Sequence, residues 1–110
     1  MKAIYCQRGE SIDYKNKTDE IIKAGTVVSI TSRVGVAGTD INANKIGSIH
    51  VVGVFELEKS SEEEISVGAK VYYDPSKDCI TATEASNIPA GYATADAQLN
   101  NTSVYVKLLG

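Results

Sequence analysis

Residues 34–59 read VGVAGTDINANKIGSIHVVGVFELEK, two stretches of strand periodicity broken by glycines and separated by a polar loop. Side chains alternate across a strand, so apolar residues at every second position build one buried face, whereas a helix needs a period near 3.6. Just upstream, Val28, Ile30, Ser32, Val34 and Val36 share a face opposite Ser29, Thr31 and Arg33, a half-buried strand that can break at Ser32. From residue 48 to 58, Ile49, Val51, Gly53, Phe55 and Leu57 share one face and His50, Val52, Val54 and Glu56 the other. Both faces are partly apolar. That predicts a central strand, with Val52 and Val54 on a second buried face and Gly53 at a bulge or a close backbone approach.

The same alternation recurs at residues 2–7, 11–14, 70–74, 79–83, 91–94 and 103–108. Asp74-Pro75-Ser76-Lys77 places Asp and Pro where a type I turn prefers them, so residues 71–83 should form a hairpin. Only residues 94–99 hint at a helix, and the segment is short and uncapped, no more than a turn. One Phe, one Met and no Trp leave Val, Ile, Ala and Tyr to build the core, a composition suited to a pleated surface. A chain of 110 residues has the size of one domain with one core. The prediction is a single all-β domain over residues 1–110, a small antiparallel barrel or sandwich of about eight short strands with at most one helical turn.

An internal echo accompanies the strands. Ile22-Lys23-Ala24-Gly25-Thr26-Val27-Val28 and Ile65-Ser66-Val67-Gly68-Ala69-Lys70-Val71 share the pattern I-x-x-G-x-x-V, each just before a predicted strand. An apolar anchor followed by a glycine turn suggests a corner that the fold uses twice.

Chemistry is sparse. The net charge of −3 and the lack of a basic stripe argue against nucleic acid as a partner. Glu56, Glu58, Glu62, Glu63 and Glu64 crowd one segment and read as a solvated run or a patch for a basic partner. The longest apolar run is far too short for a membrane helix. Cys6 and Cys79 lack CxxC spacing and are expected to be reduced thiols. His50 is the single histidine, so a His-rich metal site is excluded and any nucleophile-His-carboxylate triad would have to recruit it. Residues 35–40, GVAGTD, lack the phosphate-loop order and a following helix. The six tyrosines have no interleaved Lys and Arg, so packing explains them better than base stacking. No catalytic, cofactor or metal residue is expected, and the protein is not expected to be an enzyme.

A series of motifs does carry a resemblance. The opening MKAIYCQRGESIDYKN, the AGTVV of residues 24–28 leading into VGVAGTDI at 34–41, the GVFELEK of 53–59, the VGAKVYYD of 67–74, the AGYA of 90–93 and the closing VYVKL of 104–108 follow one another in order along almost the whole chain. This succession resembles the DUF2190 family of phage and prophage proteins, known as capsid cement or head decoration proteins. The chain departs from it at Asn44, where members usually carry Gly, and at Glu58, where they often carry Pro; Asn also tolerates a left-handed backbone.

The resemblance implies a non-enzymatic structural protein that binds the outer surface of a phage head and stabilises contacts between capsid subunits. Its implied partners are the major capsid protein and further copies of itself, with a trimer expected; its place is the virion, after the bacterial host cytoplasm. Residues 1–20 are then the expected contact arm, with Lys2, Ala3, Ile4, Tyr5, Gln7, Arg8, Tyr14, Lys15 and Lys17 as contact residues. A second contact is expected at the loop carrying Thr39, Asp40, Asn42, Asn44 and Lys45. The alternative reading is a small phage-encoded β-barrel that binds a ligand or nucleic acid.

Overall fold

The computed structural model describes residues 1–109. Nine strands form among them. β1 (Ser11–Lys15), β2 (Val27–Ile30), β3 (Arg33–Ala37) and β4 (Ile46–His50) make a sheet in the order β1-β4-β3-β2. β5 (Val52–Glu58), β6 (Lys70–Asp74), β7 (Cys79–Thr81), β8 (Ile88–Ala93) and β9 (Ser103–Leu109) make the other, in the order β5-β9-β8-β6-β7. Every ladder is antiparallel. A single parallel bridge, Lys59 to Ile80, brings the edges of the second sheet together without closing a barrel. Of the two architectures open from the sequence, the sandwich is the compatible one.

The 71–83 hairpin forms as expected. Asp74 Oδ1 accepts hydrogen bonds from the Ser76 N–H at 3.0 Å, the Ser76 hydroxyl at 2.7 Å and the Lys77 N–H at 3.3 Å, closing the turn from its first residue. Those bonds, the Ser76 hydroxyl's first, hold the Asp74 carboxyl below its usual range. Residues 94–99 form a turn and a bridge at Ala97, without a helix.

Three expectations are corrected. The half-buried strand from residue 28 to 36 is a hairpin, because Thr31 adopts a left-handed φ of 51° and a two-residue turn reverses the chain. The predicted central strand from 48 to 58 is two strands of different sheets joined at Val51: β4 is interior to its sheet, but β5 is an edge. Val52 and Val54 are 39% and 56% exposed, because no element among the described residues covers the outer face of β5, and no bulge falls at Gly53, which pairs in register with Leu108. Residues 2–7 form no strand; every one is exposed, since no neighbouring strand is there to take their backbone groups.

The echo proves to be the visible part of a larger correspondence. β1, β2, β3 and β4 occupy the same places in the first sheet as β5, β6, β8 and β9 in the second. Registers match as well: Ser11–His50 with Val54–Lys107, Tyr14–Gly47 with Leu57–Val104, Val28–Gly35 with Val71–Gly91, and Ala37–Ile49 with Ala93–Val106. The two corners share a hydrogen-bond pattern. Gly25 N–H donates to Ala37 O and Gly68 N–H to Ala93 O, both at 2.7 Å. Asp40 Oδ1 accepts from Ala24 N–H at 2.8 Å, and Asp96 Oδ1 from Val67 N–H at 2.7 Å. Ile22 bridges Ile41 as Ile65 bridges Ala97. Gly25 and Gly68 take φ of 87° and 84°, the left-handed backbone that each corner requires.

Each half also has its own core. Val28, Ile41, Ile49 and Val51 cluster in the first half, with Ile12, Tyr14, Ile22 and Ile30 packed against them. The second core contains Ile65, Val71, Ile80, Val104, Val106 and Leu108, and Val34 and Val36 of β3 enter it, fastening the halves together. A buried polar residue follows the first strand of each half: Asn16 after β1 and Lys59 after β5, 0% and 4% exposed. Lys59 Nζ donates to the carbonyls of Ser60, Asn101 and Gln98 at 2.7, 2.9 and 3.3 Å, so its charge is buried fully hydrogen-bonded.

Candidate functional surface

The expected contact residues fall into separate groups. Lys2, Ala3, Ile4, Tyr5, Gln7 and Arg8 lie on an exposed arm, with Ile4 89% and Tyr5 80% exposed. The arm meets the fold at Glu10, whose carbonyl accepts the Val51 N–H at 2.9 Å, directly at the joint between the sheets. Large apolar side chains so exposed on an extended segment gain by transfer to a partner surface.

Lys15 and Lys17 belong elsewhere. Asn16 N–H donates to Lys45 O at 2.9 Å and Asn44 N–H donates to Asn16 O at 2.7 Å, so the stretch after β1 is stitched to the 42–45 loop. The two expected contact regions thus meet at one corner, where Lys15, Lys17, Asn42, Asn44 and Lys45 are all exposed. Asn44 has φ of 63°, a left-handed backbone that Asn tolerates. Tyr14 is half-buried and packs on the first core, which makes it partly structural. Asp40 spends one oxygen on the Ala24 N–H and keeps the other 3.9 Å from Lys23 Nζ, an exposed ion pair of small energetic weight. Thr39 is exposed.

Sequence reasoning missed Asn16. Its Nδ2 donates to Glu20 O at 2.7 Å and Ile41 O at 2.9 Å, and its Oδ1 accepts from the Thr18 N–H at 3.0 Å and hydroxyl at 2.6 Å. Nothing in KNKTDE distinguishes a fully used asparagine from a solvated one.

His50 lies 3.0 Å, Nδ1 to Oγ, from Ser11 and is tilted against the Phe55 ring at 6.1 Å between centroids. No carboxylate among the described residues bonds its imidazole, so the pair lacks a triad's third member. Both cysteines are free thiols. Burial first, then proximity to Asp74, pushes the Cys79 thiol up.

A cleft of about 360 Å³ opens between β5 and β7 and reaches the start of β2; Thr26, Val27, Glu56, Glu58, Tyr73 and Asp78 line it. Burial, followed by its hydrogen bond to Asp78 at 2.5 Å, pushes the Tyr73 phenol up to about 12. A free tyrosine titrates near 10. Because the folded state holds this proton more tightly, its contribution to stability is complete below about pH 10 and is lost as pH rises through about 12. Denaturant midpoints of wild type between those limits should therefore fall with pH more steeply than those of Tyr73→Phe.

Among the described residues this all-β scaffold exposes a terminal arm, a lysine-bearing corner and open sheet edges, surfaces suited to contact with a partner. The family model described as phage cement protein matches residues 6–108, nearly the whole chain, and the chain belongs to that family. Neither the curated proteins nor the solved structures compared with it gave a match. Membership gives the chain a structural role in the phage capsid and a place in the virion. No helix among the described residues is long and apolar enough to cross a membrane.

Proposed function

We propose that this protein binds the outer surface of the phage head and ties neighbouring subunits of the major capsid protein together, acting without catalysis. The observation that carries this reading is the arm: a cement family member holds Ile4 and Tyr5 almost fully in solvent on a segment that its own fold leaves unpaired. The arm residues Lys2, Ala3, Ile4, Tyr5, Gln7 and Arg8 form the first contact. The corner with Lys15, Lys17, Asn42, Asn44 and Lys45 forms the second, flanked by Tyr14, Thr39 and Asp40. Extended backbone adds to a partner's sheet edge with affinity supplied by main-chain bonds, and several weak contacts per assembly multiply. The protein acts as a homo-oligomer, a trimer, assembled in the host cytoplasm before it reaches the head.

Co-sedimentation with expanded heads tests this. Wild type should pellet with heads, and a variant lacking residues 2–9 should stay in the supernatant while retaining its far-ultraviolet spectrum and a cooperative thermal transition. Undiminished pelleting of that variant would remove the arm from the contact. Salt-sensitive binding to single-stranded DNA without head binding would favour a nucleic-acid role instead.

A further inference from the structure

Besides a register shift in the β6–β8 ladder after Val71, the correspondence between the two halves breaks at one sheet edge. In the second half the outer edge of β6 is covered by β7, with Tyr73 opposite Ile80 and Tyr72 opposite Thr81. In the first half β2, the counterpart of β6, turns directly into β3 and ends its sheet, with no further strand paired to it among the described residues. The chain thus shows once what kind of strand covers this edge: a short antiparallel one with a β-branched residue, Ile80, that is 1% exposed.

We propose that the open edge of β2 receives the N-terminal arm of a second copy of this chain as an antiparallel strand. Ala37 N–H donates to Thr26 O, so alternation along the ladder aims Val28 and Ile30 at β3 and leaves the backbone groups of Val27 and Ser29 pointing outward. Ser29 and Ile30 are the counterparts of Tyr72 and Tyr73. Carrying over the β7 register with Ile4 in the place of Ile80 sets Ile4 opposite Ile30, Tyr5 opposite Ser29, Cys6 opposite Val28, Gln7 opposite Val27 and Arg8 opposite Thr26.

Each of those positions suits its residue. Ile4 and Cys6 fall on the face of Val28 and Ile30, where they extend the first core over its half-buried rim. Arg8 arrives at the cleft that Thr26 and Val27 share with Glu56, Glu58 and Asp78. Charge is complementary at that end, since residues 1–9 hold no carboxylate to oppose the acidic cleft that Arg8 meets. A second copy is the occupant because β1, from which a chain's own arm departs, is the opposite edge of the sheet from β2. The arrangement is head-to-tail and closes into a ring when the rotation between copies permits. It rests on the reading of the arm as a contact element and adds a division of faces: Tyr5, on the exposed face of Ser29, points away from the added core and stays available to the capsid, whereas Gln7 falls on the face of Val27, which packs toward the second half.

Light scattering on the protein alone, without heads, tests the exchange. Wild type should be an oligomer whose mass falls to that of one 11.7 kDa chain in a variant lacking residues 2–9. Ser29→Pro should do the same, because it removes an outward N–H that β3 does not use, a substitution that edge strands accept. Mixing the two variants should then give a complex of two chains, since one keeps the open edge and the other keeps the arm; this result also shows that both are folded. A wild type of single-chain mass, an arm deletion of unchanged mass, or a mixture that fails to associate overturns the proposal. Head binding is scored separately. An arm deletion that stays oligomeric but no longer pellets overturns the exchange and leaves the capsid reading standing, whereas Ser29→Pro that is monomeric and still pellets supports both.

Discussion

Gly91→Ala is expected to cost more than about 4 kcal/mol, most of the stability of a domain near the lower end of the usual range of about 5–15 kcal/mol. Gly91 has φ of 155° and pairs with Leu108 in the β8–β9 ladder and with Val71 in the β6–β8 ladder. A Cβ there would lie 1.9 Å from the Lys107 carbonyl oxygen and 2.9 Å from its carbon. Those atoms are backbone within a sheet, so neither can give way without breaking ladder bonds. Its counterpart Gly35 supplies the control. There the added Cβ would meet Ile49 Cδ1 at 2.9 Å and the His50 carbonyl oxygen, the counterpart of Lys107, at 3.2 Å. The closest atom is the tip of a side chain, so Gly35→Ala should cost about 1–3 kcal/mol, as overpacking commonly does. Urea midpoints of the two variants measure the difference; equal midpoints would contradict the close approach at Gly91.

Asn16→Ala should lower stability by about 3 kcal/mol or more. The side chain is fully buried, and its loss removes four hydrogen bonds, each worth about 0.5–1.5 kcal/mol net, although the Ile41 carbonyl keeps the Ile22 N–H and the Glu20 carbonyl the Thr18 hydroxyl. For a domain of this size, about 1 kcal/mol shifts the melting temperature by roughly 4–8 °C, so a drop on the order of 15 °C is expected by calorimetry. Asn16→Asp should be no better, because it sets an acceptor against two carbonyl oxygens. Exposed Asn42→Ala, in the adjoining loop, should stay within about 0.5 kcal/mol of wild type. A small effect at Asn16 would mean that water reaches the freed groups.

The fold class was readable because alternation and turn chemistry are local. Asp74-Pro75 announced its hairpin through residues that act within a few positions of themselves. The passage from β4 to β5 left no mark, because both strands send the same parity inward: Ile49 and Val51 reach the first core, and Phe55 and Leu57 pack against the second. Periodicity also cannot tell whether a strand has a neighbour, which is why residues 2–7 read as a strand and are an exposed arm. The I-x-x-G-x-x-V echo was visible, but the hairpin carrying β7 shifts the spacing of everything after it, so Asp40 and Asp96 could not be aligned by eye. Of the candidate contacts, the arm's exposure follows from its lack of partners. The meeting of Lys15 and Lys17 with Asn44 and Lys45 depends on backbone bonds to Asn16 that the sequence does not advertise.

The joint at Val51 has a mechanical consequence. From Ile46 to Glu58 the backbone is almost continuously extended, with strands on both sides of a single intervening residue. At about 3.3 Å per residue, thirteen residues span roughly 43 Å of contour, comparable to the molecule's longest dimension of 42 Å. A tether between two halves normally has slack that straightens before load is felt. Here the spine is a single peptide run between two strands, so tension along it passes directly into the ladders of β4 and β5. A molecule built this way resists stretching from the first ångström, whichever surfaces it is fastened to.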